Sequence, residues 1–502
     1  MAMGKGHLQF QMWAKEYGPI YSLVLGTRVI IVLSSDQAVK DLLDKRSAIY
    51  SSRPSMYLSQ DIVSGGNRMV FMEYGERWRM VRGIVQNSLN IQASRAYVPY
   101  QDLESKDMLM SLLERPSRFF GHVRRYTSSI STQMIFGFRT LDIDDPKLKQ
   151  LIHGFEKWCE LAGSQSAALI DVYPILRYLP DILLPRKRYA EKLRKEEYDL
   201  YVGHYLAAKT KLKEGRARPC ICADIVRTQD ELKFSDGLAG YTSGTLLEAG
   251  SDTTASTLLG FIQALLIFPK VLELAQAEID RVCGDRIPDL GDLPDLPYIR
   301  GCIKESLRWM PTAILGIPHA TTCDDEYLGY HIPKDASVML NVWAIHNDPT
   351  RYPEPRRFDP SRWAHDSQTS AAAANNRDVS KRDQFGFGAG RRLCQGMHIA
   401  DHTLFLGISR LLWAFDFRRP IDASTGKEVV PDMEDLKEGL LVCPLPFKAD
   451  IRPRSEAKAE AVKAEWRKMT ELLDNELQWK TMPEGLVWKD YEPNGTGTSL
   501  RM

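Results

Sequence analysis

Residues 385–400 constrain everything else in the chain: Phe385-Gly-Phe-Gly-Ala-Gly-Arg-Arg-Leu-Cys-Gln-Gly-Met-His-Ile-Ala400. Cys394 follows a glycine-rich loop that carries arginines, and it precedes an apolar, helix-like run at 399–415. A thiol so placed meets unpaired backbone N–H groups and the positive end of a helix dipole, and both favour a thiolate. Gly386, Gly388, Gly390 and Gly396 put no side chain between the backbone and a flat, bulky partner. Phe387 adds an aromatic face, and Arg392 a permanent cation. A thiolate, a cation for carboxylates and room for a plane together point to haem held by cysteine.

Other chemistries fit less well. A dinucleotide-binding loop would need a glycine at 391, which is Arg391. His398 and His402 are spaced i,i+4 and could share a metal, but no Glu follows His398 as in metalloprotease helices. An inert buried thiol is the ordinary fate of an isolated cysteine, and Cys394 is not isolated.

Phe387-x-x-Gly390-x-Arg392-x-Cys394-x-Gly396 resembles, without a mismatch, the haem-binding signature of cytochrome P450 monooxygenases. The resemblance implies a mainly α fold with a small β-rich N-terminal lobe. A long distal helix would lie over the haem and the cysteine loop beneath it. It also implies haem b with Cys394 as axial thiolate ligand, and Phe387, Gly388 and Arg392 against the cofactor.

At 502 residues the chain can bury a large core. Lys and Arg number 66 against 65 Asp and Glu, so nothing in the charge balance suggests nucleic acid. The eight cysteines are scattered and include no Cys-x-x-Cys, which fits a reduced compartment. There is no run of 18 apolar residues, and the start shows neither a signal nor a transit peptide. Eukaryotic relatives begin with a membrane anchor and hinge, whereas this chain opens almost directly into folded-type sequence at 9–18. A truncated start is therefore expected, with a soluble relative as the alternative. The catalytic domain is expected to span 1–452, and the family implies the cytosolic face of the endoplasmic reticulum.

Taken in order, residues 20–26 and 29–34 predict a hairpin, and Ser35 predicts the cap of a short helix to about residue 43. Residues 51–74 look irregular, and in the family this loop roofs the pocket. Arg53 falls where some relatives bind a haem propionate, the alternative being a surface cation. Trp78 and Arg82, at i,i+4, share a helix face and could bind one carboxylate. In the family this Trp-x-x-x-Arg pattern serves a propionate. Residues 101–215 read as mostly helical. The three prolines of 171–185 mark either a membrane-touching lid beside Arg186-Lys187-Arg188 or a buried connection.

Residues 235–268 predict the longest helix, stopped by Pro269. Its centre, residues 248–254, is rich in poor helix formers, which predicts a break at Gly250 and Ser251. The functional alternative is a long helix locally opened for a small ligand. Ala249-Gly250-x-Asp252-Thr253-Thr254 resembles the family's oxygen-binding motif, which implies that Asp252 and Thr253 relay protons as an acid–alcohol pair.

Glu305, Arg308 and Arg362 match a buried structural triad of the family, and His319 falls at a propionate-binding position. Residues 312–317 and 440–442 are expected to face substrate. Residues 364–382 predict a loop disordered at its middle. Residues 455–480 predict a charged, solvated helix within an extension at 453–502. Asn494-Gly-Thr496 fits a glycosylation acceptor that a cytosol-facing enzyme would never use.

The implied function is insertion of one oxygen atom from dioxygen into a lipophilic substrate. With no flavin or nicotinamide domain in the chain, electrons would come from NADPH through a cytochrome P450 reductase docked near Arg77, Arg79 and Arg391. Retention of Asp252-Thr253 argues against a non-oxygenating isomerase or a haem sensor. Unaltered Cys394 and Glu305 argue against an inactive scaffold. Residues 13–22 and 51–54 are similar to filamentous-fungal members that modify secondary metabolites.

Overall fold

The computed structural model describes residues 5–437, 439–481 and 483. The N-terminal lobe begins with α1 (Gly6–Tyr17), followed by β1 (Ile20–Leu25) and β2 (Arg28–Leu33). Gly26, at φ +57, turns this antiparallel hairpin. Alternation decides what β2 buries. Ile31 and Leu33 pack into one apolar cluster, while Val32 faces Phe10 and Tyr21 on the other side. Ser35 accepts from the Ala38 N–H and caps the following turn, as expected. The chain from 51 to 74 is less irregular than its sequence suggests, with helical turns at Tyr57–Val63 and Met69–Phe71.

The helical body contains α2 (Glu76–Leu89), α3 (Val98–Glu114), α4 (Phe119–Phe136), α5 (Pro146–Ala162), α6 (Pro185–Lys213), α7 (Asp236–Ile267) and α8 (Pro297–Trp309). Late in the chain β3 (His319–Ala320) and β4 (Ser337–Leu340) return to the lobe. They complete a four-stranded sheet of order β1-β2-β4-β3. β4 lies parallel to β2, with Leu33 opposite Leu340. Helices α9 (Met397–Ala414) and α10 (Glu456–Thr470) follow.

Helix α7 is the axis of the molecule. Its 32 residues span about 48 Å at the usual rise. Ser235 caps it by accepting from the Leu238 N–H, and it stops before Pro269. The break predicted at residues 250–251 is absent, and the helix runs straight through. Packing against α4 overrides local propensity there. A Cβ at Gly250 would lie 2.6 Å from Ser131 Oγ, so glycine permits the close approach. Thr127 Oγ1 then donates across the interface to the Ser251 carbonyl at 2.6 Å. A mid-helix glycine costs only about 1 kcal/mol, which tertiary contact readily offsets.

Three further expectations change. Residues 364–382 contain a short helix, Ser370–Ala374, whose Ala371 and Ala374 are buried beside Met397. The Ala371 N–H donates to Asp401 Oδ2 at 2.8 Å, which ties that helix to α9. The charged tail is not a solvated helix, because Val462, Met469, Leu473 and Trp479 all enter the main core. Trp479 Nε1 donates to Gln133 Oε1 at 2.7 Å. In 171–185 the buried-connection alternative fails, since Ile175, Tyr178 and Ile182 are 76%, 89% and 74% exposed. Asn494 lies outside the described residues.

Among the described residues no single helix is long and apolar enough to cross a membrane.

Candidate functional site

The cysteine loop is shaped by backbone that needs glycine. Gly388 has φ +80 and Gly390 φ +58. A Cβ on Gly390 would stand 1.9 Å from the Leu43 carbonyl oxygen, so only glycine fits. The Gly390 N–H donates to Asp44 Oδ1 at 2.8 Å. The Cys394 N–H closes the loop onto the Phe387 carbonyl at 2.9 Å. Cys394 stands just before α9, and the N–H groups of Gly396 and Met397 donate to its sulfur. Burial pushes the thiol up from its ordinary range, while those two donors and the nearby Arg82 pull it back. The sulfur is accessible only in the sense that it opens onto an internal cavity.

That cavity measures about 370 Å³ and lies between the cysteine loop and α7. The predicted residues Arg53, Trp78, Arg82, His319, Phe387, Gly388, Arg392, Cys394 and Thr253 all line it. Arg53 is buried, not a surface cation. Its Nε donates to the Val70 carbonyl at 2.8 Å, and its Nη1 to those of Ile317 and Pro318 at 2.8 and 2.6 Å. Arg82 donates to the Leu393 carbonyl. Arg392 donates to the carbonyls of Ser51 and Met72 at 2.8 and 2.6 Å and stacks 4.1 Å over the Trp78 ring. His319 is bonded through Nδ1 to the Tyr50 carbonyl at 2.7 Å, and burial beside Arg53 keeps the ring neutral.

These three guanidiniums have carbonyl partners but, among the described residues, no carboxylate hydrogen-bonds any of them. Arg392 Nη1 is buried with no hydrogen-bond partner among the described residues. Burial holds Arg392 down to about 9, with the Arg82 charge lowering it further, and burial holds Arg82 down to about 10 against the pull of Cys394. Buried charge without counter-charge is expensive. A ligand bringing carboxylates would relieve it, and the glycine backbone leaves a face for a flat ring. Haem, with two propionates and an iron for the thiol, fits this set.

Across the cavity α7 supplies the other wall. Thr253 Oγ1 donates to the Ala249 carbonyl at 2.7 Å. Asp252, its expected partner, does not line the cavity. Burial raises its pKa, with the charge of Glu156 adding to that and those of Arg124 and Lys437 opposing it. The remaining wall is largely apolar and includes Phe71, Ile130, Met134, Trp158, Ile317 and Leu440. Thr312 and Ala313 also face it, whereas Ile314 and Val442 pack together against Trp343 in a separate cluster. Those two side chains, and Leu315 packed against them, were expected to face substrate and do not.

Away from the cavity, Arg308 binds Glu305 through two bonds of 2.7 Å, and Arg362 Nε reaches Glu305 Oε1 at 3.3 Å. His398 and His402 find no third ligand, since no cluster of three metal-binding side chains occurs among the described residues. Sequence reasoning missed Arg68 and Glu248, a buried ion pair in the cavity wall. Glu248 borders the recognised motif, but its partner lies 180 positions away, and no local pattern links them.

The sequence matches the family model described as Cytochrome P450 over residues 2–449. It is 60% identical to the cytochrome P450 monooxygenase virE of Hypocrea virens, over 98% of this chain and 90% of that protein. Identity to the cytochrome P450 monooxygenase fogE of Aspergillus ruber is 54%, over 97% and 90%. Among solved structures, a zebra fish cytochrome P450 determined with abiraterone has a TM-score of 0.70 and 25% identity, over 90% of this chain and 100% of that one.

Proposed function

The chain belongs to the cytochrome P450 family and is a monooxygenase, and from that premise we propose that Cys394 is the axial ligand of its haem and that it oxidises a lipophilic fungal secondary metabolite. One observation carries the ligand assignment. A single thiol, held by two backbone N–H donors, faces a cavity edged by three arginines that lack carboxylate partners. Haem bound there supplies the activation of dioxygen, with one oxygen atom entering the substrate and the other leaving as water.

The chain's own residues hold and serve that chemistry. Arg53, Arg82 and Arg392 anchor the propionates, with Trp78 and His319 beside them. Gly396 and Met397 N–H groups share the sulfur's charge and so tune the metal. Thr253 Oγ1, whose own proton goes to the Ala249 carbonyl, offers its lone pairs to a proton-carrying water at the cavity wall. Asp252, its pKa raised by burial, supplies protons toward that water from the side of Arg124 and Lys437. The apolar wall selects a lipophilic molecule and keeps water out.

Electrons come from NADPH through a separate reductase, docked on the exposed Arg77, Arg79 and Arg391, of which Arg79 and Arg391 share the Tyr74 ring. The exposed strip of Ile175, Tyr178 and Ile182, next to Arg186, Lys187 and Arg188, suits contact with an anionic membrane surface at the endoplasmic reticulum.

The test is reconstitution with haem, reductase, NADPH and candidate metabolites, read by mass spectrometry for one added oxygen atom. The reduced protein with carbon monoxide should show the thiolate-type Soret band. Cys394→Ala should lose both product and band, and a retained band would overturn the ligand assignment. Arg79→Glu should slow reduction with haem retained, and Ile175→Glu with Ile182→Glu should weaken vesicle binding. An unchanged rate or unchanged binding removes the corresponding surface from this reading.

A further inference from the structure

Arg68 leaves the roofing loop and enters the gap between α6 and α7. Its Nη2 donates to Glu197 Oε1 at 2.8 Å, its Nη1 to Glu248 Oε2, and its Nε to Ser64 Oγ at 3.3 Å. Its guanidinium lies 4.4 Å over the Trp158 ring. The Tyr201 hydroxyl donates to Glu248 Oε1. Arg68, Glu197 and Glu248 are 1%, 2% and 3% exposed. Two carboxylates therefore share one guanidinium in a site shut off from bulk water. Glu197 Oε2 is buried with no hydrogen-bond partner among the described residues. The cluster lacks one proton or one further donor, and burial accordingly raises both carboxyls, Glu197 to about 7.

Arg68 and Glu248 also line the substrate cavity. Most other polar groups on that wall are already engaged. Thr245 Oγ1 donates to the Tyr241 carbonyl at 2.6 Å, Thr253 Oγ1 to Ala249 at 2.7 Å, and Thr257 Oγ1 to Thr253 at 3.0 Å. The arginines beside Cys394 are those assigned to haem carboxylates. Arg68 gives one N–H from each of its three nitrogens to Glu197, Glu248 or Ser64, and its single charge is already outnumbered by the two carboxylates, so an added anion would meet excess negative charge there. Glu248 retains acceptor capacity, because each of its oxygens receives a single bond from the protein.

We propose that Glu248, held in place by Arg68 and Tyr201, determines specificity by accepting a hydrogen bond from a hydroxyl on an otherwise apolar substrate, and that it excludes substrates carrying a carboxylate. The inference deepens the monooxygenase reading and rests on it. An O–H donor to a buried carboxylate makes one of the strong, short hydrogen bonds. An ether of the same shape leaves that acceptor unmet, and a carboxylate adds like charge to a cluster already in excess.

The test uses the full chain loaded with haem and three probes: dodecan-1-ol, its methyl ether and dodecanoate. Binding is read from the haem spin-state difference spectrum. The alcohol should bind about 10-fold or more tighter than the ether, with dodecanoate weakest. Glu248→Gln, whose amide oxygen is a weaker acceptor than a carboxylate, should lower the alcohol-to-ether ratio while the thiolate carbon monoxide band persists. Tyr201→Phe, which keeps the carboxylate, should keep the preference and serves if the first variant does not fold. The wild-type ratio alone is already decisive: equal binding of alcohol and ether, no response to the alcohol, or tightest binding of dodecanoate overturns the proposal. So does a ratio untouched by Glu248→Gln. If the wild type lacks the thiolate band, the underlying haem reading fails instead, which separates the two.

Discussion

Arg308 and Arg392 are both buried arginines, and their surroundings differ in one respect. Arg308 has a carboxylate of its own, Glu305, and donates besides to the carbonyls of His346 and Pro355, both at 2.8 Å. Glu305 is equally complete, receiving the Asp359 N–H at 2.9 Å and Trp363 Nε1 at 3.3 Å. Arg392 and its neighbours Arg53 and Arg82 have only carbonyls, which are dipoles and not counter-charges. A charge site that closes within the chain holds the fold together. One left short of a sign is built to be completed by something else. The Arg68 site is a third case, short of positive charge where the Arg392 site is short of negative.

The largest expected effect lies on the completed side. Glu305→Gln should cost about 3–5 kcal/mol, because it strands a buried guanidinium. Urea unfolding of the haem-free protein measures it, and a loss under 1 kcal/mol would mean that the triad does not lock the core. Arg392→Gln should behave oppositely. The haem-free protein should shift far less than with Glu305→Gln, while haem transfer to apomyoglobin should speed up by about 10- to 100-fold, as expected for a charged hydrogen bond. Equal damage to the haem-free fold by both variants would break the distinction.

The smallest effect belongs to Glu197. Its folded pKa, raised to about 7 chiefly by burial, exceeds the unfolded value of about 4.3. The folded state therefore binds more protons than the unfolded state between those values, so stability should fall as pH rises from about 4 to 7. Glu197→Gln should flatten that slope. Urea midpoints at pH 5 and pH 8 test it, and an unchanged slope would show that Glu197 carries no excess proton.

Much of the cavity around Cys394 is legible in the order of residues. The Cys394 loop, Trp78 with Arg82, and the cap at Ser35 each declare themselves within a few positions. Arg53 and His319 are placed by resemblance, and the structure adds that both are buried and reach the cavity. What escapes are side-chain directions, as at Ile314 and Val442, and partners remote in sequence, as with Arg68 and Glu248. The charge of 455–480 suggests solvation because its four core residues are spread thinly among lysines and glutamates, and periodicity alone does not single them out.

The sequence by itself determined the places where backbone geometry leaves no choice. Gly388 and Gly390 take up positive φ, Cys394 falls just before a helix, and Pro269 ends α7. Each is a constraint among near neighbours in the chain, so it can be read from residue order. Only the tertiary structure decided that α7 runs unbroken past Gly250, that the tail docks, and which buried charges find a partner. Those outcomes depend on what lies opposite, and a local preference near 1 kcal/mol yields to close packing and to the cost of stranding a charge.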